Sequence, residues 1–77
     1  MWLRIEVLRY LLEVSDAPAA ELARALGRSR PAIGMTVLRM LRIGLVTRIV
    51  DERDFRYYYA LTAKGRARLE YLERRDH

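Results

Sequence analysis

Apolar side chains recur at helical spacing from the start of the chain and predict a first helix over residues 2–14. Two apolar stripes run along it, one through Leu3, Val7, Leu11 and Val14 and the other through Ile5, Leu8 and Leu12. A surface helix in a small domain needs only one such stripe. The second stripe therefore indicates either central burial of the helix or a face reserved for a second subunit.

Two further helices are predicted, separated by a short turn. Ser15 and Asp16, followed by Pro18, are expected to close the first helix and to cap a second over residues 18–26. Gly27 suits the left-handed position that ends a helix, and Ser29 suits the N-cap of a third helix over residues 30–43. Two helices joined by a glycine-containing turn of three or four residues are typical of a helix-turn-helix.

The third predicted helix has an inner and an outer side. Ile33, Val37 and Met40 or Leu41 share an apolar face and are expected to point inward. The other side is expected to face solvent or a ligand and carries Arg30, Met35, Thr36 and Arg39.

Residues 44–65 predict a two-stranded ribbon that leads into a last helix. β-Branched and aromatic residues form its two strands, on one side Val46, Thr47, Ile49 and Val50 and on the other Phe55, Tyr57, Tyr58 and Tyr59. The polar residues 51–54 supply the turn. Thr62 is expected to cap a helix over residues 63–75 whose apolar seam is Leu69 and Leu72. The three tyrosines could form a base-stacking platform, but strand alternation favours packing against the helices.

Charge points towards a polyanionic ligand. The 77 residues carry a net charge of +5, with a pI of about 10.2, and such a basic balance favours nucleic acid. Every basic residue except Lys64 is an arginine, which can make bidentate contacts to phosphate or guanine. Codon bias in a GC-rich genome would produce the same preference.

Several classes of site are excluded or disfavoured by composition. The chain has no cysteine and a single histidine, His77, so neither a disulfide framework nor a zinc cluster is expected. No Ser/His/Asp set and no glycine-rich phosphate loop is found, so we expect no enzyme, no metal and no cofactor. Without an apolar run of ~18 residues or a signal peptide, a cytoplasmic protein is expected.

Parts of the sequence resemble known regulators. The segment ELARALGRSRPAIGMTVLRMLRIGLVTR, residues 21–48, resembles the helix-turn-helix core of bacterial and archaeal winged-helix transcription regulators. RYYYALTAKGRARL, residues 56–69, resembles the junction between wing and last helix in the PadR group, and the Asp54-Phe55-Arg56 step resembles the Asp-x-Arg wing tip of the MarR group. The resemblance covers nearly the whole chain and implies one winged-helix domain over residues 1–77. Its class is α+β, mainly α, with a three-helix core, a two-stranded wing and a C-terminal helix.

The resemblance also implies a function, namely a transcriptional regulator that binds double-stranded DNA. Helix 30–43 would enter the major groove, and the wing, residues 45–61, would lie on the minor groove or the backbone. The residues expected to contact DNA are Arg28, Ser29, Arg30, Met35, Thr36, Arg39, Arg53 and Arg56. Five of them have a plainer alternative role, namely an N-cap for Ser29, an exposed helical face for Thr36 and Arg39, and a surface ion pair for Arg53 and Arg56.

The small core and the doubled stripe predict a homodimer. Its interface is expected to contain Trp2, Ile5, Leu8, Leu12, Leu69 and Leu72. Related regulators commonly continue into a long C-terminal dimerisation helix, whereas this sequence stops at His77, so no small-molecule effector is expected. Two alternative functions remain: an architectural, sequence-tolerant DNA-binding protein, which Gly34 and Met35 favour, and a protein-interaction winged helix.

Overall fold

The computed structural model describes residues 3–75, which form four helices and a three-stranded antiparallel sheet. In chain order these are α1 (Leu3–Val14), β1 (Asp16–Pro18), α2 (Ala19–Leu26), α3 (Arg30–Arg42), β2 (Val46–Val50), β3 (Tyr57–Leu61) and α4 (Ala63–Arg75). The predicted helices and the predicted ribbon are confirmed. None of these helices is long and apolar enough to cross a lipid bilayer.

Strand β1 was not predicted. It pairs with β3, with Asp16 opposite Ala60 and Pro18 opposite Tyr58, so that the sheet has the order β1-β3-β2. The predicted capping role of Asp16 is therefore wrong, because this residue lies in the strand and the N-cap of α2 is Pro18, without a side-chain hydrogen bond. Ser15 does end α1, with its backbone N–H donating to Leu11 O at 3.0 Å and a φ of 78°.

The turn between α2 and α3 forms as predicted. Gly27 adopts the left-handed conformation, with φ 64°, and its N–H donates to Ala23 O. Ser29 is the N-cap of α3, and its hydroxyl oxygen accepts a hydrogen bond from the N–H of Ala32 at 3.2 Å. The two helices are thus held as a helix-turn-helix with a three-residue connection.

Thr62 fastens the start of α4 to the start of the wing. Its hydroxyl donates to Gly44 O at 2.6 Å and accepts from the N–H of Gly65 at 3.0 Å, which confirms the predicted cap. A Cβ atom at Gly65 would lie 2.0 Å from Leu45 O, so only glycine fits at this crossing. The spacing of Thr62 and Gly65 thus has a direct physical cause, since the hydroxyl of one and the missing side chain of the other join α4 to the chain entering β2.

All four helices and all three strands contribute to the core, and α1 contributes four residues to it. The buried apolar residues are Ile5, Val7, Leu8, Leu11, Ala17, Leu22, Ala23, Ile33, Val37, Met40, Leu45, Val46, Tyr59 and Leu69. Both stripes of α1 contribute, so the doubled stripe reflects central burial.

This burial corrects the predicted dimer interface. Ile5, Leu8 and Leu69 are packed inside their own chain and have almost no accessible surface left for a partner. Leu12 is half exposed, and Leu72 is partly buried against the core. Trp2 lies outside the described residues.

Candidate nucleic-acid interface

The outward face of α3 follows from its buried face. Ile33, Val37 and Met40 are fully enclosed, as predicted, so the opposite side of the helix must be the free one. The exposed side chains centred on that side are Met35, Leu38, Arg39 and Arg42. Sequence reasoning missed Leu38 and Arg42, although their spacing of three and seven residues from Met35 is that of one helical face.

Thr36 lies at the edge of this face rather than at its centre. Its side chain is only partly exposed, and it borders a cleft of about 310 Å³ between α3 and the start of α1. Arg4 and Arg39 line the same cleft, so two guanidinium groups border it. Arg4 was not predicted as a site residue, because its position beside α3 depends on how the helices pack.

The start of α3 brings together three of the predicted residues. Because the Ser29 oxygen accepts from the backbone, its hydroxyl proton remains available to donate to an incoming anion. Arg28 is paired with Glu6 of α1, with Nη2 3.0 Å from Oε1. Both side chains are exposed, and such a pair contributes only about 0–1 kcal/mol. A phosphate could therefore replace Glu6 as the partner of Arg28.

The wing turn has six residues, longer than the four predicted. The backbone N–H of Arg53 donates to Asp51 Oδ1 at 2.8 Å, and that of Arg56 donates to Asp54 Oδ1 at 3.0 Å. Their guanidinium groups lie 3.6 and 3.9 Å from the same two carboxylates. Phe55, predicted to lie in the second strand, instead occupies the turn with a left-handed φ of 58°. The aspartates therefore fix the backbone of the turn and restrain both arginines.

A groove between the wing and the helix-turn-helix joins two of the predicted arginines. Arg30, from the first turn of α3, and Arg56, from the wing, line this groove of about 280 Å³. Phe55 and Tyr57 form its wing side, and residues 18–20 complete it. The groove is the place where α3 and the wing present positive charge side by side.

Arg53 lies elsewhere on the wing. It borders a different cleft, on the outer face of the sheet, together with Asp16, Ile49 and Tyr58. Its side chain is almost fully exposed. The two wing arginines are thus not equivalent, and only Arg56 borders the groove next to α3.

The three tyrosines have separate surroundings. Tyr59 is buried in the core, as strand packing predicted, whereas Tyr57 is half exposed with the guanidinium of Arg48 4.4 Å from its ring centre. Tyr58 faces the outer side of the sheet, where partial burial and then the Asp54 carboxylate raise the pKa of its hydroxyl. A continuous stacking platform is therefore absent, and Arg48 is a basic residue of the wing that sequence reasoning missed.

No family model and no curated protein matches the sequence. Solved structures do match. A probable transcriptional regulator from Pseudomonas aeruginosa is 31% identical, with a TM-score of 0.83 over 91% of this chain and 54% of that one. A transcriptional regulator from Thermotoga maritima is 26% identical, with a TM-score of 0.87 over 99% of this chain and 55% of that one.

MarR of E. coli, in its ligand-free form, also matches. It is 24% identical to this chain, with a TM-score of 0.82 over 87% of this chain and 50% of that one, a likeness that shows the fold. An S. aureus MepR variant bound to an oligodeoxyribonucleotide is 27% identical, with a TM-score of 0.83 over 88% and 51% of the two chains. The present chain thus spans about half the length of the structures that it matches. It has a winged-helix fold and resembles the MarR-family transcriptional regulators over that half.

Proposed function

We propose that this winged helix binds double-stranded DNA in a sequence-dependent manner and acts as a transcriptional regulator. In this proposal α3 enters the major groove and the wing lies on the minor groove or the backbone. The observation that carries it is the groove shared by Arg30 of α3 and Arg56 of the wing. Two elements that would touch neighbouring parts of a duplex thus present positive charge to the same side.

The contacts divide into those that position the protein and those that read bases. Arg28, Ser29 and Arg30 lie at the start of α3, where N–H groups and the positive end of the helix favour a phosphate. Arg39 and Arg42 extend from the outward face of α3, and an arginine that pairs with guanine is the commonest specific contact in the major groove. Binding, rather than catalysis, is the function that these residues support.

An architectural, sequence-tolerant DNA-binding protein is the second candidate. It is favoured by the composition of the outward face of α3, where Met35 and Leu38 offer apolar surface between the arginines. Apolar side chains at the base edges can contact a thymine methyl group but read little else. The two candidates differ in the ratio of specific to non-specific affinity.

Selection of bound duplexes from a random pool distinguishes these candidates. A regulator should enrich a common sequence and bind it at least ~10³-fold more tightly than the starting pool. An architectural protein should show no enriched sequence and nearly equal affinities. Failure to bind any duplex would contradict both candidates and leave a protein-interaction role.

Removal of charge at matched positions tests the proposed surface. The triple variant Arg30→Gln, Arg39→Gln, Arg56→Gln and the control Arg9→Gln, Arg74→Gln, Arg75→Gln both lower the net charge from +5 to +2 (+5 − 3 in each case). The general effect of charge on DNA affinity is therefore equal in the two proteins. The control arginines lie on α1 and at the end of α4, and they do not line the groove that Arg30 and Arg56 border. The first variant should lose far more affinity, and equal losses would contradict the location of the site.

We also propose a homodimer, in keeping with an intracellular regulator on the nucleoid. Because Ile5, Leu8 and Leu69 are buried, its candidate interface residues within the described chain are Leu12 and Leu72, next to the exposed Tyr71. Two copies would place their α3 helices about one DNA turn, ~34 Å, apart and would favour palindromic sites. Sedimentation at micromolar concentration should give a dimer, and a strictly monomeric species would contradict this part.

A further inference from the structure

Phe55 is the most exposed large apolar residue of the described chain. Its side chain is 82% accessible, although it stands between charged residues at the tip of the wing. The folding of residues 3–75 does not explain this side chain, because it contributes nothing to the core.

The backbone at Phe55 is also unfavourable for this residue type. A φ of 58° costs free energy for any residue other than glycine and is least costly among the others for asparagine and aspartate. A turn that served only to reverse the chain would favour one of those residues. A bulky aromatic side chain is instead held there.

The turn fixes the backbone that carries this side chain. The N–H of Phe55 donates to Asp51 O at 2.7 Å, and the N–H of Asp51 donates to Arg56 O at 3.0 Å. Phe55 lines the groove that Arg30 and Arg56 border, so positive charge lies on one side of the apolar group, while Asp54 precedes it in the chain. Positive charge beside an apolar side chain is the combination used by proteins that insert such side chains between base steps from the minor groove, where the potential is negative.

We propose that Phe55 is an apolar wedge that enters the minor groove and partly unstacks one base step, while Arg56 holds the adjacent phosphate. Apolar side chains used in this way kink the duplex, and the cost is lowest at pyrimidine–purine steps. The wing would then select deformable steps without hydrogen bonds to bases. This inference rests on the proposed function and adds to it a residue that determines specificity.

Permanganate oxidation of thymine tests the wedge, because a stacked thymine is protected and an unstacked one reacts. The probe is the duplex enriched by selection, or a mixed-sequence duplex if none is enriched, flanked on both sides by alternating thymine and adenine. A TA step then lies wherever the wing touches. Bound protein should raise the reactivity of a flanking thymine about fivefold or more, since insertion between base steps unstacks them.

Two variants make the test specific to the side chain. Phe55→Asn removes the wedge and suits the left-handed backbone, so the protein should stay folded, still bind DNA and lose the reactive thymine. Phe55→Leu keeps an apolar side chain and should retain much of the thymine reactivity. The inference is overturned if the unmodified protein binds without a reactive thymine, or if Phe55→Asn leaves the signal intact.

Other outcomes separate this inference from the function on which it rests. If the unmodified protein binds no duplex, both fail together. If binding and its sequence preference are retained in Phe55→Asn with no change in reactivity, only the wedge fails. If Phe55→Asn instead dissociates a dimer in sedimentation, the side chain belongs to a protein interface and the wedge is overturned.

Discussion

At the scale of single residues, Tyr10 shows how one polar contact orients the helix-turn-helix. Its hydroxyl donates to the Glu21 carboxylate at 2.6 Å, which ties α1 to the first turn of α2. This hydrogen bond, and then partial desolvation, raise the pKa of Tyr10. A raised pKa means that the neutral hydroxyl is favoured in the folded protein.

Replacement of Tyr10 by Phe should therefore lower the melting temperature at pH 7. The contribution of Tyr10 is fully present below its unfolded-state pKa of about 10 and is lost as the pH rises through the higher folded-state pKa. The difference between Tyr10→Phe and the unmodified protein should accordingly shrink above pH 10. Thermal unfolding followed by circular dichroism at pH 7 and in the alkaline range would measure this difference in melting temperature. A difference that stays constant with pH would contradict the assigned hydrogen bond.

Arg39 and Arg56 should differ in the kind of affinity that they provide. Arg39→Ala should reduce discrimination between the enriched duplex and the random pool by about 1–3 kcal/mol, because a base contact is lost. Arg56→Ala should weaken binding to all duplexes about equally, because a phosphate contact is lost. Band shifts on both duplexes would separate the two effects, with Arg9→Ala as the control. The assigned roles fail if both variants change the ratio of affinities for the enriched duplex and the random pool to the same extent.

At the scale of elements, two glycines in helices have opposite requirements. Gly65 of α4 lies so close to the chain entering β2 that an added Cβ would collide with Leu45 O. Gly34 lies in the middle of α3, where an added Cβ would meet nothing within 4 Å. Packing thus requires glycine at position 65, whereas glycine at position 34 only adds the conformational entropy cost of a glycine inside a helix.

Gly65→Ala should accordingly destabilise the fold by at least the ~1–3 kcal/mol typical of overpacking. Gly34→Ala should stabilise it by about 0.5–1 kcal/mol, since alanine favours a helix interior. Urea unfolding monitored by circular dichroism gives both free energies of unfolding. A neutral Gly65→Ala variant would show that α4 and β2 are not joined as described.

Elements with a strong local signal could be predicted from sequence, and elements that depend on distant partners could not. The caps Ser29 and Thr62 and the stop at Gly27 are local, and all three were predicted correctly. Strand β1 has three residues, one of them proline, and exists only because β3 offers it an edge. Phe55 is a different case: its aromatic type favours a strand, but local hydrogen bonds of the turn, including the one from its own N–H to Asp51 O, hold it outside β3.

The candidate site could be predicted in part for the same reason. The helical repeat placed Met35 and Arg39 on the outer face and could also have placed Leu38 and Arg42 there. It could not show that Thr36 borders α1, because that depends on how the helices pack. Nor could the sequence separate Arg53 from Arg56, since the groove next to α3 exists only in the folded molecule.

At the scale of the whole molecule, the proposed DNA binding depends on where the positive charge lies. The longest extent of the described chain is 41 Å, slightly more than one turn of a duplex at ~34 Å. In the proposed complex a single copy spans a major groove with α3 and the adjacent minor groove with the wing. Within residues 3–75, the arginines assigned to that span are Arg28, Arg30, Arg39, Arg42, Arg53 and Arg56.

The salt dependence of duplex affinity tests this account most directly. Each phosphate neutralised on B-DNA contributes about −0.9 to the slope of log affinity against log salt concentration. Arg28, Arg30, Arg53 and Arg56 are the four arginines assigned to phosphates, and together they should give a slope of about −3.6, which Arg9→Ala should leave unchanged. Affinity that is nearly independent of salt, or no measurable affinity at low salt, would contradict the central claim that α3 and the wing form one cationic surface for DNA.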